Sequence, residues 1–226
     1  MKQLKNQQGF TLVEIAIVLV IIGLLLGGVL KGQELITNAK IKNIINDMKG
    51  VSAAYYSYQD RYRAIPGDDA AASTRFTGAV NGGGDGAISG VYTAVAAPAL
   101  TAESNNFWQH TRMAGFLNGT ATATEANPST NAVGGLLGVQ SEVTAAGGST
   151  YGMKGPVVCA GSVPWKIAQS IDAQLDDGDS ATGNVRAGAA GAANADTTSA
   201  TAAAYGPTVA ATATIEEGIH TICMKF

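Results

Sequence analysis

The sequence predicts an α+β protein: a long N-terminal α-helix, half membrane span and half amphipathic, carrying a C-terminal globular head with a small antiparallel sheet. Three observations predict it. Phe10 to Leu30 is an apolar run with one charge, Glu14. From Lys31 to about Arg63 the apolar residues narrow to a single stripe at helical spacing. Beyond Pro66, short stretches rich in Val, Ile and Tyr and broken by glycine are interspersed with two helical patterns.

Ahead of the apolar run lies MKQLKNQQG, with Lys2 and Lys5 and no acid. As a helix at ~1.5 Å per residue the run is roughly 31 Å long, enough to cross a bilayer's hydrocarbon core. It exceeds the ~7–15 apolar residues of an ordinary secretory signal, and no small-residue cleavage site follows it in VLKGQEL. The two lysines hold the N-terminus on the cytoplasmic side, which puts the residues after Lys31 on the other side. Glu14 is the odd residue. A carboxylate at a span's centre costs ~2.5–3.5 kcal/mol, while each Leu or Ile returns only ~0.3–0.6 kcal/mol. Lying one turn inside the span, it is either an interfacial Glu favoured by the helix N-terminal dipole or an ionisable group with a partner.

The stretch Gln7-Gln8-Gly9-Phe10-Thr11-Leu12-Val13-Glu14 with its long apolar helix resembles the class III signal of type IV prepilins and pseudopilins. The resemblance implies that a membrane prepilin peptidase cuts between Gly9 and Phe10 and methylates the new amino terminus at Phe10. It implies that Glu14, fifth in the mature chain, meets the N-terminal amine of a neighbouring subunit, with Phe10 and Thr11 at the same contact. Two charges that are costly alone in lipid attract strongly at low effective dielectric. The partners so implied are like or unlike filament subunits, the peptidase and an inner-membrane assembly platform. The implied location is a single-pass inner-membrane precursor with a periplasmic head, and then a periplasmic or extracellular filament. Many pilins weaken the helix with a Pro near Lys31. Here Gly23, Gly27, Gly28 and Gly32 either replace it or are ordinary span glycines.

The boundaries expected are 1–9 for the leader, 10–30 for the span, 31–63 for the amphipathic half and 64–226 for the head. Ile41, Ile44, Met48, Val51, Tyr55, Tyr58 and Tyr62 form the seam of the outer half, which Pro66 ends. In the head, 101–115 reads as a helix capped by Thr101, and 162–175 as a helix opened by Pro164. Residues 133–143, 151–159 and 218–226 read as strands, 186–214 as an exposed Ala/Gly/Thr loop, and Asn81-Gly82-Gly83-Gly84-Asp85-Gly86 as a turn. The pieces AIPGDDAAA, NGGGDGAISG, FWQHTRMAGFLNG and IDAQLDDGDSATGNVRA are similar to pilin-like proteins with larger heads.

Net charge is −3, so no basic field points to nucleic acid. His110 and His220 have no Cys or acid at metal-ligand spacing, and no hydrolase or zinc-protease motif occurs. No nucleophile–base pair is recognisable, so the protein is expected not to be an enzyme. No cofactor is expected apart from calcium, for which Asp172, Asp176, Asp177 and Asp179 are candidate ligands. Major secretion pseudopilins bind it in a C-terminal loop, but the spacing is not that of an EF-hand and an Asp-rich helix end explains the group equally. Cys159 and Cys223, a lone pair beyond the span, predict a disulfide. Asn118-Gly119-Thr120 matches a glycosylation acceptor. The expected function is a subunit, major or minor, of a type IV pilus-like filament. The alternatives are a type II secretion pseudopilin and a non-polymerising, membrane-anchored periplasmic binding module.

Overall fold

The computed structural model describes residues 11–94, 102–122, 127–141, 150–188, 202, 204–206 and 218–226. A long helix, α1, runs unbroken over Leu12–Tyr62, 51 residues. Among the described residues it is the one helix long and apolar enough to cross a membrane. The expected C-terminal end at Arg63 moves inward by one residue, to Tyr62. Phe10 lies outside the described residues, and Arg63 adopts φ 55°, closing the helix as a left-handed residue whose N–H still donates to the Gln59 carbonyl at 2.9 Å. The chain divides into two compact units, Met1–Ala39 and Lys40–Phe226. The second unit takes in residues 40–62 of α1 because their apolar seam has a core to join.

In the first unit the large apolar side chains between Leu12 and Ile36 are exposed. In the second, Ile41, Ile44, Met48, Val51, Tyr55 and Tyr58 are buried, as the seam requires, and Ile45 and Ala54 join them. A short helix α2 (Ala72–Arg75) and an eleven-residue helix α3 (Glu103–Met113) follow. The N-cap of α3 is Ala102, one residue later than the expected Thr101, with no side-chain cap; Thr101 lies outside the described residues. Nine consecutive residues of α3, Glu103 to Thr111, are buried although most are polar. Ser104, Asn105, Asn106 and Trp108 each leave one buried polar atom unpaired, while Gln109 and His110 find partners in the flanking loops. Gln109 accepts the Val80 N–H at 2.8 Å and donates to the Thr122 carbonyl at 2.8 Å. His110 accepts the Gly67 N–H at 2.9 Å and faces the Val80 carbonyl at 2.7 Å, which assigns its proton to Nε2.

The sheet is wholly antiparallel, in the order β1-β2-β3-β5-β4. Its strands are β1 (Ser129–Thr130), β2 (Leu136–Gln140), β3 (Val157–Pro164), β4 (Val185–Ala187) and β5 (Ile219–Lys225). The first three residues of the strand expected at 133–143 belong instead to a hairpin turn. Asn131 Oδ1 accepts the Val133 and Gly135 N–H groups, both at 3.0 Å, and its amide donates to the Gly161 carbonyl at 2.8 Å. The strand expected at 151–159 starts six residues later and runs on to Pro164, which pairs with Ile219. Ser162, expected in a helix, has φ 57° where the β3–β5 register shifts, and helix α4 begins after Pro164 at Trp165–Leu175. β4 claims Arg186 and Ala187 from the stretch expected as loop; most of the remainder lies outside the described residues. Gly138 is required by packing, since a Cβ there would fall 2.1 Å from the Tyr92 carbonyl oxygen. The main core gathers the α1 seam, Phe107 and Trp108 of α3, Ile167 and Ile171 of α4, and Val139, Val158, Val163 and Ile222 of the sheet.

Candidate processing and assembly site

The helix entrance is built by two side chains. Thr11 precedes the first helical residue, and its hydroxyl accepts the Glu14 N–H at 3.3 Å. Glu14 reaches back, and its Oε2 accepts both the Thr11 N–H and the Thr11 hydroxyl, each at 2.8 Å. This reciprocal arrangement is a capping box, which satisfies two donors that the first turn of a helix otherwise leaves unpaired. The carboxylate therefore has a local partner at the end of an apolar helix, a feature the sequence reading of Glu14 did not include although Thr-x-x-Glu is its signature. Both readings of Glu14 stand on this geometry: the helix N-terminus favours its charge, and the exposed carboxylate still has lone pairs for an amine. Gly9 and Phe10 lie outside the described residues.

At the outer end of the span, Lys31 Nζ pairs with Glu34 Oε2 at 2.7 Å. Gly23, Gly27, Gly28 and Gly32 are in helix, and a Cβ at any of them would meet nothing within 4 Å. The helix's own packing therefore does not require them.

Cys159 and Cys223 face each other across β3 and β5 and are joined as a disulfide, fully buried beside Tyr92, Tyr151 and Met153. Of the candidate calcium ligands, Asp172, Asp176 and Asp177 bring one oxygen each within 4.8 Å of one another, and Asp179 is not in that group. All four carboxylates already serve the loop. Asp172 takes the Tyr205 hydroxyl at 2.7 Å, Asp176 the Asn184 and Val185 N–H groups, Asp177 the Thr182 hydroxyl, and Asp179 the Ala181 N–H. Burial pushes the Asp172 carboxyl above its usual range, and the neighbouring charges of Asp177 and Asp176 add to this.

A second acidic group escaped the sequence reading. Asp68, Asp85 and Glu103 also place oxygens within 4.8 Å of one another. Asp68 accepts the N–H groups of Gly84, Asp85 and Gly86, and Glu103 accepts those of Gly83 and Ser89. The glycine turn thus folds its amides around carboxylates. Beside it, Asp69 takes the Tyr58 hydroxyl at 2.6 Å and pairs with Arg75. Burial raises the Asp69 pKa, but the Tyr58 hydroxyl, the Ala71 N–H and the Arg75 guanidinium outweigh it and hold the carboxyl below its usual range.

An apolar helix with a capped acidic entrance, following a cationic stretch and preceding a disulfide-bonded globular part, is consistent with a membrane-anchored precursor. Comparison with known families narrows the class: residues 4–30 match the prokaryotic N-terminal methylation motif. The chain therefore carries the class III signal of type IV pilins and pseudopilins, which implies processing by prepilin peptidase and filament assembly in general. No curated protein matches the chain.

Proposed function

We propose that the protein is a structural, non-catalytic subunit of a type IV pilus-like filament. It is cut at Gly9/Phe10, methylated on Phe10, and assembled by packing of its N-terminal helices with Glu14 at the subunit contact. The observation that supports this reading is the Thr11–Glu14 pair, which sits inside the matched motif at the start of an uninterrupted helix. The globular part lies in the periplasm before assembly, and the other subunits and the inner-membrane platform are the partners. A carboxylate that needed only to cap its helix would be replaceable by an amide, because Gln also closes a capping box. A carboxylate that meets an ammonium group would not.

Two measurements test the proposal. Mass spectrometry of the membrane-extracted protein should find Phe10, one methyl heavier, as the first residue. An intact leader in cells with an active prepilin peptidase would overturn the assignment. Glu14→Gln and Glu14→Ala should both insert at least as well as the parent, having lost a costly charge, and neither should enter filaments. Assembly of the Gln form at parental level would reduce Glu14 to a cap.

The Asp172, Asp176 and Asp177 oxygens favour a second reading, a type II secretion pseudopilin with a calcium loop. Under that reading calcium raises the thermal midpoint of the folded chain and Asp176→Asn abolishes the shift. A midpoint indifferent to calcium and to chelator leaves the pilus-like reading alone.

A further inference from the structure

Charge is divided unevenly along the chain. Residues 31–63 carry six cations and three acids, whereas residues 64–226 carry six cations and thirteen acids. The outer half of α1 is therefore basic and the rest of the globular part acidic. Away from its buried seam, α1 presents Lys42, Asn46, Lys49, Ala53 and Tyr56, again at steps of four and three, and all are exposed. As helix the row is about 21 Å long. Lys42 and Lys49 have no acid three or four residues away in either direction, unlike Lys31, which pairs with Glu34. Neither lysine makes an ion pair among the described residues. A face meant only for water gains from such pairs; this one leaves its cations to a partner.

Among the described residues, the densest exposed acid lies between α4 and β4, where Asp176, Asp177 and Asp179 fall within four residues. The loop's own donors fix these carboxylates in place. The Thr182 hydroxyl holds the Asp177 carboxyl below its usual range, and the Asp179 N–H and the charge of Arg186 add to this. Arg186 is itself committed to the Gly183 and Tyr151 carbonyls, and none of the three carboxylates makes an ion pair among the described residues. The loop is as uncompensated as the lysine row.

We propose that the Lys42–Lys49–Tyr56 row of one subunit docks the Asp176–Asp179 loop of a second copy. Complementary charge selects that occupant, and every copy brings it. Tyr56, half exposed and set by edge contacts with Tyr55 and Phe226, supplies apolar area at one end of the row. The contact joins two different patches, so it is heterologous and passes from copy to copy, as a filament needs. Apolar packing of spans is non-directional, whereas charge pairs fix register. The proposal rests on the filament reading and adds to it a contact between globular parts.

The test uses the full-length chain in its own membranes and filaments. Carbodiimide, which couples an amine to a carboxylate only where they touch, should give a covalent dimer. Its digest should join a Lys42 or Lys49 peptide to the peptide holding Asp176 to Asp179. Salt at about 1 M should suppress the link in membranes, because screening tightens from ~10 Å at about 0.1 M to ~3 Å. Lys42→Glu with Lys49→Glu should lower filament yield about tenfold or more, and so should Asp177→Lys with Asp179→Lys. All four reversals in one chain should restore it, which a loss caused by misfolding would not allow. Parental yield from either pair overturns the docking, as does a protease-resistant fourfold variant that does not recover. Where a variant fails to fold, the parental cross-link decides, and its absence overturns the docking too. Binding of the row to phosphatidylglycerol vesicles, with no link to the loop, has the same consequence. Leader removal at Gly9/Phe10 is read in every variant, so a failed docking with a processed parent leaves the filament reading standing.

Discussion

His110 shows how a single residue carries the loops that precede α3. Both its nitrogens are committed, one to the Gly67 N–H and one to the Val80 carbonyl, and the ring stacks 6.0 Å from Tyr58. Burial holds the imidazole below its ordinary pKa, against the pull of the Val80 carbonyl and of Asp69 and Glu103. The linkage sign follows from that direction. The unfolded chain takes up the proton at higher pH than the folded one, so the stability from neutral His110 is full above ~6.5. It is lost as pH falls through the depressed folded value. Protonation would also place a donor against the Gly67 N–H. His110→Gln can copy both hydrogen bonds without titrating. Urea unfolding between about pH 7 and about pH 5 should therefore show a steeper loss for the parent than for the variant. Equal slopes would mean that the buried ring titrates as it does in the unfolded chain. The carboxyls of Asp172 and Asp47, raised by burial, act in the opposite sense and are common to both proteins. None of this was legible in the sequence, where His110 was notable only for lacking metal partners. Gly67 is 43 residues away, and only the folded loop brings its amide to the ring. The Thr11–Glu14 capping box is local and has a sequence signature, which the reading of Glu14 as a lone charge passed over. Asp68 was not legible, because its amide donors lie 16 to 18 residues away.

At the scale of elements, the β3–β5 pair holds the sheet together. The two are neighbours in the sheet order, with β2 and β4 outside them, and Cys159 opposes Cys223 in register. The disulfide closes a loop with a sequence separation of 64. The chain-entropy argument puts its contribution on the order of 4 kcal/mol for a loop of that size. Substituting both cysteines with serine should lower unfolding free energy by at least that much, because each hydroxyl is also buried in an apolar cluster with Tyr92, Tyr151 and Met153. Denaturant titration of the double variant measures it, and a loss under about 1 kcal/mol would mean that the sheet needs no covalent tie. The helices and strands were legible in kind, because 3.6- and 2-residue periods survive in any context. Their ends were less so. Pro164 reads as a helix opener, yet pairing with Ile219 keeps it in β3 and delays α4 by one residue. β1 and β4, two and three residues long, carry no periodicity to read and exist because a neighbouring strand offers an edge.

At the scale of the molecule, the open question is why a helix of 51 residues places four glycines between Gly23 and Gly32 when a side chain would fit at each. Four glycines weaken a helix by roughly 4 kcal/mol relative to alanine. Within a bilayer that weakness has no outlet, since each unsatisfied backbone group costs several kcal/mol in hydrocarbon. An unbroken α1 is what that penalty demands of the membrane-anchored form. A filament removes the bilayer and surrounds the segment with neighbouring helices and some water, which can take the freed hydrogen bonds. The helix between Gly23 and Lys31 should then open into extended chain. Replacing all four glycines with alanine should leave membrane insertion and leader removal intact, keep the helix closed after extraction, and lower filament yield. A map of the parental filament at side-chain resolution decides the matter. Extended density from Gly23 to Lys31 is the expected result. A continuous helix through that stretch, with the alanine variant assembling as well as the parent, would leave these glycines with no part in assembly.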